Sequence, residues 1–565
     1  MASIHNRYFL ITRLKLFPTP RPPQQPAKLP YKTMSTKHDN LTPDAKVARS
    51  IGRNTVFGVI ANVAQVGTRL ITVPIVIHYL GLGGYGIWNI IMMTATYMRF
   101  GSVGVKTAFQ KYVAEATGDG DYDRANRLLS TGAILMLGLS VCGLIPVALF
   151  SLPIAKLVGV PTLFLNTSAG AISLLALIML MANAGAAYES VVTGGHRIDL
   201  VTTFRTVLTI LEAVAIVVAL HFGGGLFAMA CVMGVSELVY ISCCYFTSHR
   251  VVPQIQVHLK HFSTGTFREL LRFAGSYQLV NVLEVLYAAL VPFAILRTFG
   301  ATSAGVYAVV SRVVWSAAIL QEAFLPPILS GGTMVFASGS AERMQALVTK
   351  AYKVTLALAL FPLGFISVFG VTLAYAWTGT TDPSFRAAFW LVSLTTMFGA
   401  ISRLAFVLYR VSGRALLDNV WQGLRVALIC AVIFGAHKLG FVGVLGGVAT
   451  VELVGMLFML FALTRAFHLF RAVSLVPDLI RITSAVALIL LVGTIASYVP
   501  LPGGLEGRLP AMLKVVVAFA TCLIVAWPLA VRTGVITATD RAALVHSFFP
   551  SRKHHARAVE RGAEA

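Results

Sequence analysis

Near-continuous apolar windows alternate along this chain with short polar, glycine-rich or basic stretches. The windows at 171–187, 207–220, 354–370, 485–495 and 515–531 are of this kind, and several approach the roughly 20 residues a helix needs to cross a bilayer. Read with the turns between them, the pattern predicts an all-α polytopic membrane protein of about fourteen spans. They lie near residues 54–78, 85–105, 128–151, 163–187, 200–221, 226–246, 273–296, 304–329, 346–370, 385–408, 420–437, 442–464, 482–498 and 511–530. The loops expected on the outer side are all short.

The pattern repeats itself. Laid over itself at a shift of 219 residues, the stretch 53–128 falls on 272–347 without a gap, pairing Arg53 with Arg272, Asn62 with Asn281 and Val66 with Val285. Gly81 meets Gly300, Gly86 meets Gly305, Trp88 meets Tyr307, and the copy closes with Arg124 on Arg343 and Leu128 on Leu347. A constant register that keeps glycines and charges aligned indicates a duplicated unit. The expected plan is therefore two pseudo-symmetric six-helix lobes, at 54–248 and 273–466, with spans 13 and 14 within 467–531. A cytoplasmic linker, 249–272, joins the lobes. Its Phe262, Phe267, Leu270 and Leu271, set among basic residues, suit an amphipathic helix on the inner leaflet. The tail 532–565 is polar and basic. The Pro-rich, basic stretch 1–53 is too poor in apolar residues to order itself and has no signal-peptide pattern. Met34 is a plausible shorter start.

Composition agrees. With 57% hydrophobic and 12% charged residues, the apolar surface exceeds what one aqueous core needs. The net charge of +23 does not indicate nucleic acid, because the basic residues lie between spans rather than on one solvated face. With the amino terminus in the cytoplasm, about 35 of the 45 Lys and Arg fall on the cytoplasmic side, as the positive-inside rule requires. Lys156, Arg297, Arg386, Lys438 and Arg508 fall outside. Both termini are then cytoplasmic. The six cysteines lie in or beside spans without zinc-like spacing, and the thirteen histidines are scattered, so neither a disulfide framework nor a metal site is expected. The acidic turn at 118–121 lacks the carboxylate series of a calcium loop.

Polar residues inside the spans carry the chemistry, since a charge at mid-bilayer costs roughly 2.5–3.5 kcal/mol on insertion scales and must face a cavity or a partner. Asn62, Gln65 and Arg69 share one face of span 1, and Asn281 and Glu284 stand at the matching places of Asn62 and Gln65 in the second copy. Asn89, Thr96, Arg99 and Lys106 form one stripe on span 2; span 8 brings Ser311, Arg312, Gln321 and Glu322. These positions point to a partly aqueous, cationic cavity between the lobes, lined by spans 1, 2, 7 and 8. Other uses stay open. Arg99, Lys106 and Arg403 are equally placed to snorkel as anchors, and Asn62 and Asn281 to serve as interhelical hydrogen-bond glue. Glu212, Glu237 and Glu452 each stand alone on a span, to pair with an arginine or carry a proton. Phosphate-loop, zinc-protease and serine-hydrolase motifs are missing, which leaves transport, not enzymatic chemistry.

One segment is diagnostic. Arg69 precedes an apolar turn with Pro74; Tyr79-Leu80-Gly81 and then Tyr85-Gly86-Ile87-Trp88 follow. This pattern resembles the polysaccharide flippases of the Wzx type, as does the loop 118–128, and the resemblance extends over about residues 50–470. It implies the multidrug/oligosaccharidyl-lipid/polysaccharide exporter fold and no cofactor. It also implies a substrate, an undecaprenyl-pyrophosphate-linked oligosaccharide moved from the inner to the outer leaflet of the bacterial inner membrane for O-antigen or exopolysaccharide assembly. A polysaccharide polymerase and a chain-length regulator are then the expected partners. On this reading Arg69, Arg99 and Arg312, with Lys106 and the amides Asn62, Gln65 and Asn281, meet the pyrophosphate and sugar, and Glu284 and Glu322 are candidates for ion coupling. The rivals are a drug exporter or a lipid II flippase of the same fold and, from another class, a membrane polysaccharide polymerase.

Overall fold

A computed structural model describes residues 43–98, 120–195, 197–322, 340–411, 416–467, 476–497 and 507–532, with isolated positions between them. The described residues are helical and hold no strand. In chain order the helices are α1 (Pro43–Met98), α2 (Tyr122–Leu149), α3 (Ser151–Val158), α4 (Thr162–Gly194), α5 (Ile198–His221), α6 (Leu226–Val251), α7 (Thr264–Glu322), α8 (Ala341–Thr378), α9 (Ser384–Val411), α10 (Leu416–Phe434), α11 (Ala436–Phe467), α12 (Val476–Ser497) and α13 (Arg508–Arg532). Ten segments among the described residues are long and apolar enough to cross a membrane, and two shorter apolar helices accompany them. The chain is a multi-pass membrane protein.

Three of these helices are broken by a positive-φ glycine; in α11 the break, at Gly440, comes within the first turns, while in the other two it divides a long helix. Inside α1 the backbone leaves the helix at Gly81, and inside α7 it leaves at Gly300, with φ of 71° and 84°. Only glycine adopts such angles without strain. Each glycine therefore turns one long helix into two arms, 43–80 and 82–98 in α1, 264–299 and 301–322 in α7. The two turns stand 219 residues apart, so the repeat read from the sequence is a repeat of structure. A second pair of caps keeps the same register. The Asp121 carboxylate accepts from the Arg124 N–H at the start of α2, and the Ser340 hydroxyl accepts from the Arg343 N–H at the start of α8, each filling an orphan donor of a first turn.

The packing repeats too. α1 packs on α4 and α5, α2 on α4, and α4 and α5 on α6; in the second half α7 packs on α9 and α10, α8 on α9, and α9 and α10 on α11. α12 and α13 pair with each other and lean on α8 through Phe365, Phe369, Ile489, Val515 and Ala518. The halves meet chiefly where α1 crosses α7. There Gly86 lies against Gly305, and a Cβ on either would overlap the other helix's backbone. Close backbone approach at small residues is the usual way helices associate in lipid. The hydroxyls of Thr68, Thr72 and Thr94 bond the carbonyl four residues back at 2.7–2.8 Å, which lets polar side chains ride inside apolar helices.

Two details differ from the sequence reading. α1 begins at Pro43, ahead of the expected start near 54, because a proline loses nothing in a first helical turn. The short helix α3 was not expected; it fills the turn between α2 and α4 and ends on Gly159 at φ 87°. Met34, the loop after span 2 up to residue 119 apart from isolated positions, and the carboxy-terminal tail beyond residue 532 lie outside the described residues.

Candidate substrate cavities

Each half encloses a cavity. The first, about 500 Å³, opens among α1, α4, α5 and α6; the second, about 460 Å³, among α7, α9, α10 and α11. Both fall in the roughly 300–1,000 Å³ range of small-molecule sites. The repeat places equivalent residues on equivalent walls. Gln65, Thr72 and Trp88 line the first cavity, and Glu284, Val291 and Tyr307, each 219 positions on, line the second.

Charge lines both walls, and most of it is paired. In the first half Arg205 of α5 meets Glu237 of α6 at 2.8 Å, with its guanidinium 3.5 Å above the centre of the Tyr240 ring. In the second half Arg425 of α10 meets Glu452 of α11 at 2.5 Å. The Arg425 guanidinium lies 3.3 Å above the Tyr287 ring, and the Tyr287 hydroxyl donates to Glu452 at 2.6 Å. Guanidinium on a ring face is a favourable cation–π arrangement. The hydrogen bonds and the ring offset the cost of burying the pair. Arg403 faces Glu322 at a looser 3.7 Å.

Arg312 is different. It sits on the second arm of α7 and lines both cavities. No described carboxylate lies within ion-pair distance of it. Close by is the buried Tyr85 hydroxyl, which Arg312 faces. Its counterpart in the first half of the repeat is Met93, so this charge has no symmetric mate.

The structure brings together Gln65 in the first cavity, Glu284 and Glu322 in the second, and Arg312 between them. Arg69 lies on α1 between Thr68, which lines the first cavity, and Leu70, which lines the second; the side chains of Arg69, Asn62 and Asn281 are outside the described residues. Arg99 and Lys106 lie outside them altogether. At the described positions the walls are of mixed sign rather than simply cationic, since Glu189, Glu212 and Glu284 join the paired carboxylates. Sequence reasoning left Glu237 and Glu452 without partners and passed over Arg205 and Arg425. A signal existed. Those arginines are 220 residues apart, one more than the repeat's register, so an ungapped overlay ending at Leu128 missed them. No group of metal-ligating side chains occurs among the described residues.

The halves, their shared Gly81 and Gly300 turns and the paired cavities define the fold well enough for comparison. Residues 51–326 match the family model described as polysaccharide biosynthesis protein. This is the family that the Arg69–Trp88 segment resembles, and the match spans close to half of the chain. No protein of curated function matches the sequence. Among solved structures, the lipid II flippase MurJ in an inward closed conformation superposes with a TM-score of 0.64 at 13% identity, covering 84% of this chain and 99% of that one. An inward-facing multidrug resistance MATE family transporter of the MOP superfamily gives 0.59 at 15% identity, covering 72% and 95%. A MOP superfamily transporter from Pyrococcus furiosus gives 0.53 at 14% identity, covering 75% and 96%. The polysaccharide-biosynthesis match therefore sits on a MOP-type fold. The neighbours are transporters and a flippase, not enzymes.

Proposed function

We propose that the protein flips a polyprenyl-pyrophosphate-linked oligosaccharide, of the undecaprenyl type, from the inner to the outer leaflet of the bacterial inner membrane for surface-polysaccharide assembly. The observation that carries this reading is Arg312. A pyrophosphate is a dianion or more, and an arginine fork is suited to its oxygens. The other three described cavity arginines have carboxylate partners, whereas Arg312 stands between the two cavities with no carboxylate within ion-pair distance among the described residues. Its position lets it hold the headgroup while the lobes rock and the lipid tail stays in the bilayer.

The contacts between the halves support alternating access. Besides Gly86 against Gly305, the Arg297 guanidinium donates to the Leu157 carbonyl and the Trp377 indole N–H donates to the Leu70 carbonyl at 2.7 Å. The positive-inside orientation puts the Gly81 and Gly300 turns outside, so these contacts form the outer seal. Opening outward must break them. Arg69 joins Arg312 at the headgroup, with Arg99 and Lys106 on the cytoplasmic approach; Gln65, Asn62 and Asn281 supply hydrogen bonds, and Glu284 and Glu322 carry the coupling ion.

The deciding experiment is the leaflet distribution of lipid-linked oligosaccharide in cells with and without the gene, with surface polymer assayed in parallel. Inner-leaflet accumulation with loss of polymer supports flipping. Glycolipid that reaches the outer leaflet but stays unpolymerised moves the protein to the polymerase side. A drug exporter of the same fold is the second reading, favoured by Glu189 and Glu212 in the first cavity, whose carboxylates suit an organic cation. Ethidium efflux that disappears with the gene, with surface polymer unchanged, would select it.

A further inference from the structure

We infer that the second cavity is a sugar-binding subsite in which Trp315 is the stacking platform for the sugar nearest the pyrophosphate. This rests on the flippase reading of the same site. Trp315 lies one helical turn beyond Arg312 on the second arm of α7, so the two side chains share a face. Both line the cavity, and the indole is 49% exposed there. Trp390 and Trp527 are exposed to a similar degree, 50% and 56%, but neither lines these two cavities, and Trp88, which lines the first, is 7% exposed and packed into the core.

The surrounding groups are those a sugar needs. An apolar ring face meets the C–H face of a pyranose, and polar groups at its edges take the hydroxyls. Around Trp315 the cavity supplies Glu322, Thr395 and Arg403. The Arg403 Nε is buried with no hydrogen-bond partner among the described residues, an unfilled donor of the kind that native proteins seldom leave unexplained. The equivalent position in the first half of the repeat is Thr96. The platform therefore belongs to the second half alone, on the same side as the asymmetric Arg312. Pyrophosphate on Arg312 and the first sugar on Trp315 would lie one helical turn apart.

The test uses the purified full chain in detergent and two kinds of soluble probe: farnesyl pyrophosphate, and farnesyl pyrophosphoryl-linked glucose, galactose or N-acetylglucosamine. Binding is followed by calorimetry and by indole fluorescence. The expected result is that at least one sugar-bearing probe binds more tightly than farnesyl pyrophosphate and changes the fluorescence. Trp315→Leu then weakens that probe about tenfold, the scale of an aromatic contact, while farnesyl pyrophosphate binding is kept, which also shows that the variant is folded. Trp315→Phe retains most of the gain, and Arg312→Gln weakens both kinds of probe. Equal binding of the sugar-bearing probes by wild type and Trp315→Leu, or no advantage of any sugar over farnesyl pyrophosphate, overturns the platform and leaves the flippase reading standing. If wild type binds neither kind of probe, the flippase reading itself fails, and the platform with it.

Discussion

Gly86 and Gly305 occupy the same place in the two halves of the repeat and pack against each other, backbone to backbone, where α1 crosses α7. A duplicated helix has met its own copy at matching glycines. A side chain there cannot be absorbed by a rotamer change, because what it meets is main chain.

Gly86→Leu is expected to force the two arms apart and to cost about 1–3 kcal/mol, the range for overpacking. A cysteine placed near the seal, at position 301, should then react with a membrane-impermeant reagent added outside. Equal labelling in wild type and variant would remove the seal assignment.

The Arg425 and Glu452 pair predicts a non-additive pattern. Their side chains are 15% and 2% exposed, and removing one partner strands a buried charge at about 3–5 kcal/mol. Arg425→Met and Glu452→Leu alone should each sharply lower the thermal midpoint of the detergent-purified protein. The double variant should regain most of it. Arg205 is 30% exposed, so breaking its pair with Glu237 should cost less. Additive losses in the double variant would mean that the pair is not the unit of stability.

Arg312→Ala should abolish surface polysaccharide while membrane levels of the protein stay normal, and Arg312→Lys should restore only part of it because the two-pronged geometry is lost. Arg69→Ala is expected to act alike. Immunoblots of membranes beside polymer gels provide the readout. Normal polymer from both alanine variants would sink the headgroup proposal.

Arg508 holds the last two helices in place. Its guanidinium donates to the Trp377 carbonyl at 2.6 Å and to the Ala376 carbonyl at 3.4 Å, where α8 ends and carbonyls lack helical partners. A charged hydrogen bond contributes about 1.5–3 kcal/mol, less where water reaches it. Arg508→Ala should increase hydrogen exchange at the amino end of α13 and leave α1–α7 unchanged; exchange rising across the whole chain would refute a local anchor.

The apolar windows, the basic loops and the 219-residue register were enough to indicate the apolar spans and the duplication, and they aligned Gly81 with Gly300. These are local or periodic properties: a helix in lipid must satisfy its backbone internally, and where a turn needs a positive φ, glycine is the residue that adopts it without strain. The register also matches Gln65 with Glu284, which line equivalent walls. Only the tertiary structure decided which charges find partners. Arg205 reaches Glu237, and Arg425 reaches Glu452 and Tyr287, across different helices, so their pairing depends on how α5 sits against α6 and α10 against α11. It left Arg312 without an ion-pair partner among the described residues and set Trp315 on the wall of the second cavity. Pairing of buried charges is a property of distances between helices, and no periodicity along one helix encodes it.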